Sequence, residues 1–149
     1  MGDYTAFIEG WAVFAESMFQ SSSTVAEAIG TCESELFRAC RLVMDTGIHG
    51  LHWSFDQAYE YLARYSTETP EELRQEVLRC VCDPGQMCAY PVGLAIFRDI
   101  VASRRSKSSC GTASCEDDPQ VTALLAQVLR EGAVPMHILL QRHFGRGKR

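Results

Sequence analysis

Two carboxylates on an otherwise apolar stretch are the side chains best suited to chemistry. Glu9 and Glu16 lie in Phe7-Ile8-Glu9-Gly10-Trp11-Ala12-Val13-Phe14-Ala15-Glu16. Phe7, Trp11, Phe14 and Met18 recur at i, i+4, i+7 and i+11, which marks one stripe of a helix. Glu9 and Glu16 are seven apart and share another face, with Ala12, Val13 and Ala15 around them. No Lys or Arg occurs between Met1 and Phe37. A carboxylate buried without a counter-charge is very costly. Its partner must then come from elsewhere in the fold, or be a metal ion. The alternative is a glutamate at the helix edge that meets water, the commoner fate of this residue type.

The thiols are a second candidate. The chain has seven cysteines, an odd number, so at least one stays unpaired within a monomer. Cys32, Cys40, Cys80, Cys82 and Cys88 fall in expected helices among apolar residues, which favours reduced thiols in a cytoplasmic setting. Cys80-Val81-Cys82 could form half of a zinc site, with Cys110 and Cys115 as the other half. Zinc pairs are usually spaced by two to four residues, so a single intervening residue argues against it.

The elements that would carry these residues are all helices. The first is expected from about Tyr4 to Gln20. Thr24 with Glu27 forms a capping-box pattern and opens a second helix. Its core positions are Val25, Ala28, Ile29, Cys32, Leu36, Cys40 and Val43, and its stop is Gly47. Ser54 caps a third helix, and Thr69-Pro70 opens a fourth, because proline suits the first helical turn. Asp83-Pro84-Gly85 breaks the chain before a fifth, from about Gly85 to Ser103, which Pro91 should kink. Asp118-Pro119 starts a sixth, stopped by Gly132, and Pro135 begins a short seventh. No strand alternation or internal repeat is visible. The fold class is all-α, an irregular bundle of about seven helices. The expected organisation is a helical core over 1–103, a flexible Ser/Cys-rich insert over 104–117, and C-terminal helices with a basic tail over 118–149.

Composition narrows the functional classes. The hydrophobic fraction of 46% is ample for a core, and the net charge of -5 argues against general nucleic-acid binding. No apolar run approaches a membrane span, and the N-terminus shows no secretory signal pattern. Met1-Gly2 is not followed by the Ser or Thr at position six that myristoylation needs, since Ala6 stands there.

Three ordered blocks carry a resemblance. Glu9-Gly10-Trp11-Ala12-Val13-Phe14-Ala15-Glu16, Arg41-Leu42-Val43-Met44-Asp45-Thr46-Gly47-Ile48-His49 and Pro84-Gly85-Gln86-Met87-Cys88-Ala89-Tyr90-Pro91-Val92-Gly93 are similar to segments of the bacterial domain-of-unknown-function family 885. That family resembles zinc metallopeptidases of the gluzincin type, whose members carry a His-Glu-x-x-His helix upstream of the Glu-Gly-Trp helix. This chain has four histidines, His49, His52, His137 and His143, and none precedes a glutamate. The resemblance therefore implies the C-terminal part of a larger peptide hydrolase, inactive alone.

Residue roles follow from the resemblance alone. Glu9 matches the third zinc ligand, and Glu16 a supporting or packing carboxylate. His49 and Tyr90 match groups at the cleft that donate to the developing oxyanion, and Arg79 and Gln86 match positions on the substrate side. Asp45 would orient His49 or cap the turn. His52 has no comparable support and reads as surface. Two departures stand out: Cys80 replaces a family tyrosine and Pro91 a family lysine. The complete enzyme would use zinc and take a peptide substrate, and this chain alone would hold zinc weakly or not at all. The first helix, lacking a cover for its Glu9 face, would favour self-association. The competing class is a non-catalytic helical remnant or interaction module built on the same fold.

Overall fold

The computed structural model describes residues 4–19, 24–105 and 119–144. These residues form seven helices: α1 (Thr5–Phe19), α2 (Val25–Leu51), α3 (Phe55–Tyr65), α4 (Pro70–Cys82), α5 (Gln86–Arg105), α6 (Pro119–Glu131) and α7 (Met136–Phe144). No strand occurs among the described residues. The Cys110/Cys115 pair, the Asp118 cap, the basic tail and all but the first two residues of the expected insert lie outside them.

Local chemistry sets the helix starts. Thr24 Oγ1 accepts from the Glu27 N–H at 3.2 Å, and Glu27 accepts from the Thr24 N–H at 3.0 Å. Ser54 with Gln57 and Thr69 with Glu72 close the same reciprocal box at α3 and α4. Each box satisfies two amide donors that a bare helix end would leave open. Pro70 occupies the first position of α4, where its missing N–H is harmless.

The chain forms two compact units, residues 1–20 with 92–149, and residues 21–91. In the first, the α1 stripe packs as its spacing predicts. Phe7 and Phe14 are buried, with Trp11 and Met18 half-buried against the same core. Phe97 of α5 is its centre: its ring meets Phe7 edge-on at 5.4 Å, Trp11 edge-on at 5.5 Å, and stacks on Phe14 at 5.8 Å. The glycines of the first and third blocks meet here. A Cβ on Gly10 would come within 2.3 Å of the Gly93 Cα, and one on Gly93 within 2.0 Å of the Ala6 carbonyl oxygen. Both positions must be glycine for α1 and α5 to cross backbone to backbone.

In the second unit, Met44, Ala58, Leu62, Leu73, Val77 and Met87 form the core of α2, α3, α4 and the first turn of α5. Two expectations for α2 are corrected. It does not stop at Gly47 but runs to Leu51, and His52 ends it in the left-handed region at φ 58°. Gly47 is buried inside the helix because the Trp53 ring lies on it; a Cβ there would sit 2.3 Å from the ring. Its lack of a side chain serves packing, not a turn. The N-terminal half of the expected α2 core stripe also faces outward, with Val25 77%, Ile29 54% and Leu36 47% exposed. Only Cys40 of that stripe is buried. Pro91 sits inside α5, which continues as one helix to Arg105.

Candidate functional site

The second and third blocks meet at one buried carboxylate. Asp45, near the end of α2, is 2% exposed and is the sole buried charged residue among those described. Its Oδ1 accepts from the Gly85 N–H at 3.0 Å, and its Oδ2 from Met87 at 3.0 Å and Cys88 at 3.2 Å. These are the amides that open α5, so Asp45 caps that helix from 40 residues away in sequence. The negative charge also sits at the positive end of the helix dipole. Gly85, at φ 85°, shapes the turn that presents these amides.

His49 lies one turn beyond Asp45 on α2. Its Nε2 is 2.9 Å from the Cys80 carbonyl at the end of α4, and 3.8 Å from Asp45 Oδ1. A carbonyl only accepts, so Nε2 carries the proton and donates. Cys80 is fully buried in the same corner. Burial, then the negative charge of Asp45, pushes its thiol up to about 12. The same two causes push the Cys88 thiol up to about 11. The described cysteines are all unpaired, and Cys32 and Cys82 are exposed.

Arg41 sets the other side of the site. Its Nε lies 2.9 Å from Glu76 Oε1 and 3.1 Å from Met87 Sδ. Its guanidinium stacks over the rings of Tyr90 at 5.2 Å and Phe37 at 5.7 Å. Tyr90, on the second turn of α5, is half-buried beneath it. Asp45 and Arg41 together thus tie α2, α4 and α5 into one corner that holds both His49 and Tyr90.

The remaining expected site residues are more dispersed. Arg79 is half-exposed on α4, 3.8 Å from Glu76 Oε2. Gln86 is half-buried at the first position of α5, its N–H donating to the Asp83 carbonyl. Glu9 is half-buried and Glu16 exposed on α1, which belongs to the other unit. Of the two roles expected for Asp45, orienting His49 or capping the turn, its amide contacts fit a cap, though at the start of α5; Arg41 had no expected role. The one available signal for Asp45 was its place as an acid among Leu42, Val43 and Met44 on the helix side that turns inward.

One group among the described residues has the composition of a metal site. Asp45, His49 and Cys80 offer ligand atoms within 4.8 Å of one another. The carboxylate already accepts from three amides, and Nε2 donates its proton to a carbonyl. A zinc ligand needs an imidazole nitrogen free of its proton, so the trio in this arrangement does not fit zinc. It is a capping and bracing network.

No helix among the described residues is long and apolar enough to cross a membrane. No curated protein matches the chain. Among solved structures, it is similar to a Colwellia psychrerythraea protein provisionally designated a lipoprotein, at 27% identity and a TM-score of 0.77. The match covers 91% of this chain and 23% of that one, so the chain spans less than a quarter of its structural relative. Residues 1–142 match the family described as bacterial protein of unknown function, DUF885, and the chain belongs to that family.

Proposed function

We propose that this chain is the helical segment of a peptide hydrolase that carries oxyanion-side and substrate-side residues, and that it has no activity by itself. The observation that carries the reading is the Asp45 corner, where the second and third blocks become one braced unit. Such rigidity is what a preorganised transition-state donor requires. Tyr90 is the donor in this reading, its ring held by the Arg41 guanidinium. His49 already donates through Nε2 to the Cys80 carbonyl, which leaves Nδ1 for any direct part in the chemistry. Arg79 and Gln86 would meet the substrate backbone. Glu9 would supply a carboxylate toward zinc, whose role in such enzymes is to activate water. One carboxylate does not make a zinc site, and the Asp45–His49–Cys80 trio does not replace the missing histidine pair.

The test is complementation. The chain is joined or mixed with the region of a longer family member that carries the histidine pair, and a mixed peptide library is followed by mass spectrometry. Cleavage that falls about a hundredfold with Tyr90→Phe supports the reading. Full activity with Tyr90→Phe makes Tyr90 a packing residue, and no cleavage by the complemented protein removes the hydrolase reading. The second reading, an interaction module, is favoured by the exposed face of α2.

A further inference from the structure

α2 presents an apolar ridge that the elements of its own unit leave uncovered. Val25, Ile29, Cys32 and Leu36 are all exposed. They recur at intervals of four, three and four, the spacing of a helix–helix seam, over roughly 16 Å of helix. Single exposed apolar side chains are ordinary, but a contiguous helical row marks an interaction surface.

What flanks the ridge selects the occupant. Leu36 also lines an open groove of 450 Å³ with Phe37 and Tyr65, walled by Glu33 and Glu68. A second depression of 530 Å³ continues from Phe37 and Glu68 along α4, walled by Glu71, Glu72 and Glu76. Among the described residues, Arg79 is the only basic one lining either, and it lies 3.8 Å from Glu76. Glu68 is held above the ordinary carboxylate range because it shares a hydrogen bond with Glu72 and feels the charges of Glu72 and Glu33. The acidic walls repel one another, and a cation brought by a partner relieves that repulsion.

We infer that the α2 ridge and its acidic groove form a docking surface for a basic amphipathic helix. The apolar stripe of that helix lies on Val25, Ile29 and Leu36, and its Lys or Arg edge reaches Glu33 and Glu68. A second copy of this chain is a poor occupant, because it would set the same glutamates against each other. An anionic membrane surface is repelled for the same reason. This inference is independent of the hydrolase reading.

The probe is a synthetic helix of about four turns with a leucine seam and lysine flanks, compared with the same peptide bearing glutamate flanks. Binding to the full chain is read by fluorescence anisotropy. The lysine peptide should bind at least about tenfold more tightly, and its affinity should fall as salt screens the charges. Leu36→Asp and the double variant Glu33→Lys/Glu68→Lys should each weaken it about tenfold. These side chains are exposed, so circular dichroism should show an unchanged fold. Asp99→Lys, exposed on α5, makes the same charge change as Glu33→Lys alone and is the net-charge control for that single variant. Equal binding of the two peptides, weakening by Asp99→Lys equal to that by Glu33→Lys, or no binding overturns the proposal. So does self-association that Ile29→Asp abolishes, or tight binding to vesicles of anionic lipid.

Discussion

Replacing Asp45 by asparagine changes one oxygen to nitrogen and removes one charge, and both changes fall on the start of α5. The carboxylate receives three amide hydrogens. An asparagine keeps one accepting oxygen and turns an NH2 donor toward donors. At least one amide in this corner then loses its acceptor, which costs about 1–3 kcal/mol for a buried group. The lost charge at the helix N-terminus adds up to about 2 kcal/mol in a buried geometry. The expected loss is about 3 kcal/mol, a large share of a typical domain's stability. Urea unfolding followed by circular dichroism measures it, and hydrogen exchange locates it: the Met87 and Cys88 amides should lose protection before the rest of α5. Thr46→Ala is the control, since Thr46 is exposed and its hydroxyl donates only to its own helix, at the Leu42 and Val43 carbonyls. If Asp45→Asn stays within about 0.5 kcal/mol of the parent, as a neutral surface change would, with unaltered exchange at both amides, Asp45 is not the cap described above.

Three further outcomes are expected. Gly10→Ala should destabilise the first unit by about 3 kcal/mol, the upper range for overpacking, because the new methyl meets Gly93 backbone that cannot swing away; a melting temperature equal to the parent's would refute the close crossing. Cys80 keeps its proton when folded but releases it near its ordinary 9.0 when unfolded. The unfolded state then binds fewer protons, so the contribution of Cys80 to stability is complete below pH 9 and is lost progressively as pH rises toward about 12; Cys80→Ala should flatten that alkaline slope, and an unchanged slope would count against it. The purified chain, dialysed against a weak chelator, should retain no stoichiometric zinc; zinc that survives Cys80→Ser with Cys82→Ser but is lost with Glu9→Gln would show that Glu9 anchors a complete site.

What sequence revealed here was mostly local. Thr24, Ser54 and Thr69 cap their helices with partners three residues away, so pattern and contact coincide. The α1 stripe was legible because one periodicity buries one face. Gly47 misled, since a glycine near a helix end ordinarily signals a stop, while here the cause is a ring that returns to it from Trp53. The Val25–Leu36 stripe misled in the opposite way: its period is that of a buried face, but periodicity cannot say whether the covering element belongs to the same unit. For Asp45 a capping role was expected, but not which element it caps. Its partners are backbone amides 40 or more positions away, and amides carry no sequence signature. Which residues bear the proposed chemistry was legible only through resemblance, because His49, Tyr90, Arg79 and Gln86 share no spacing that physics alone would single out.

The Gly10–Gly93 crossing has a consequence for how the chain folds. It joins residues on either side of the whole second unit, so α1 must wait for α5 across a long stretch of polypeptide. Closing a flexible loop of about 80 residues costs about 4 kcal/mol in chain entropy, beyond the constant term. If residues 21–91 fold first, that floppy stretch becomes a fixed span, and most of the search is removed before the two glycines meet. The order of events is then set by topology: capped helices of the second unit first, Asp45 seating the start of α5 next, and α1 last onto a helix already begun. In time-resolved hydrogen exchange, α1 amides should be the latest to gain protection.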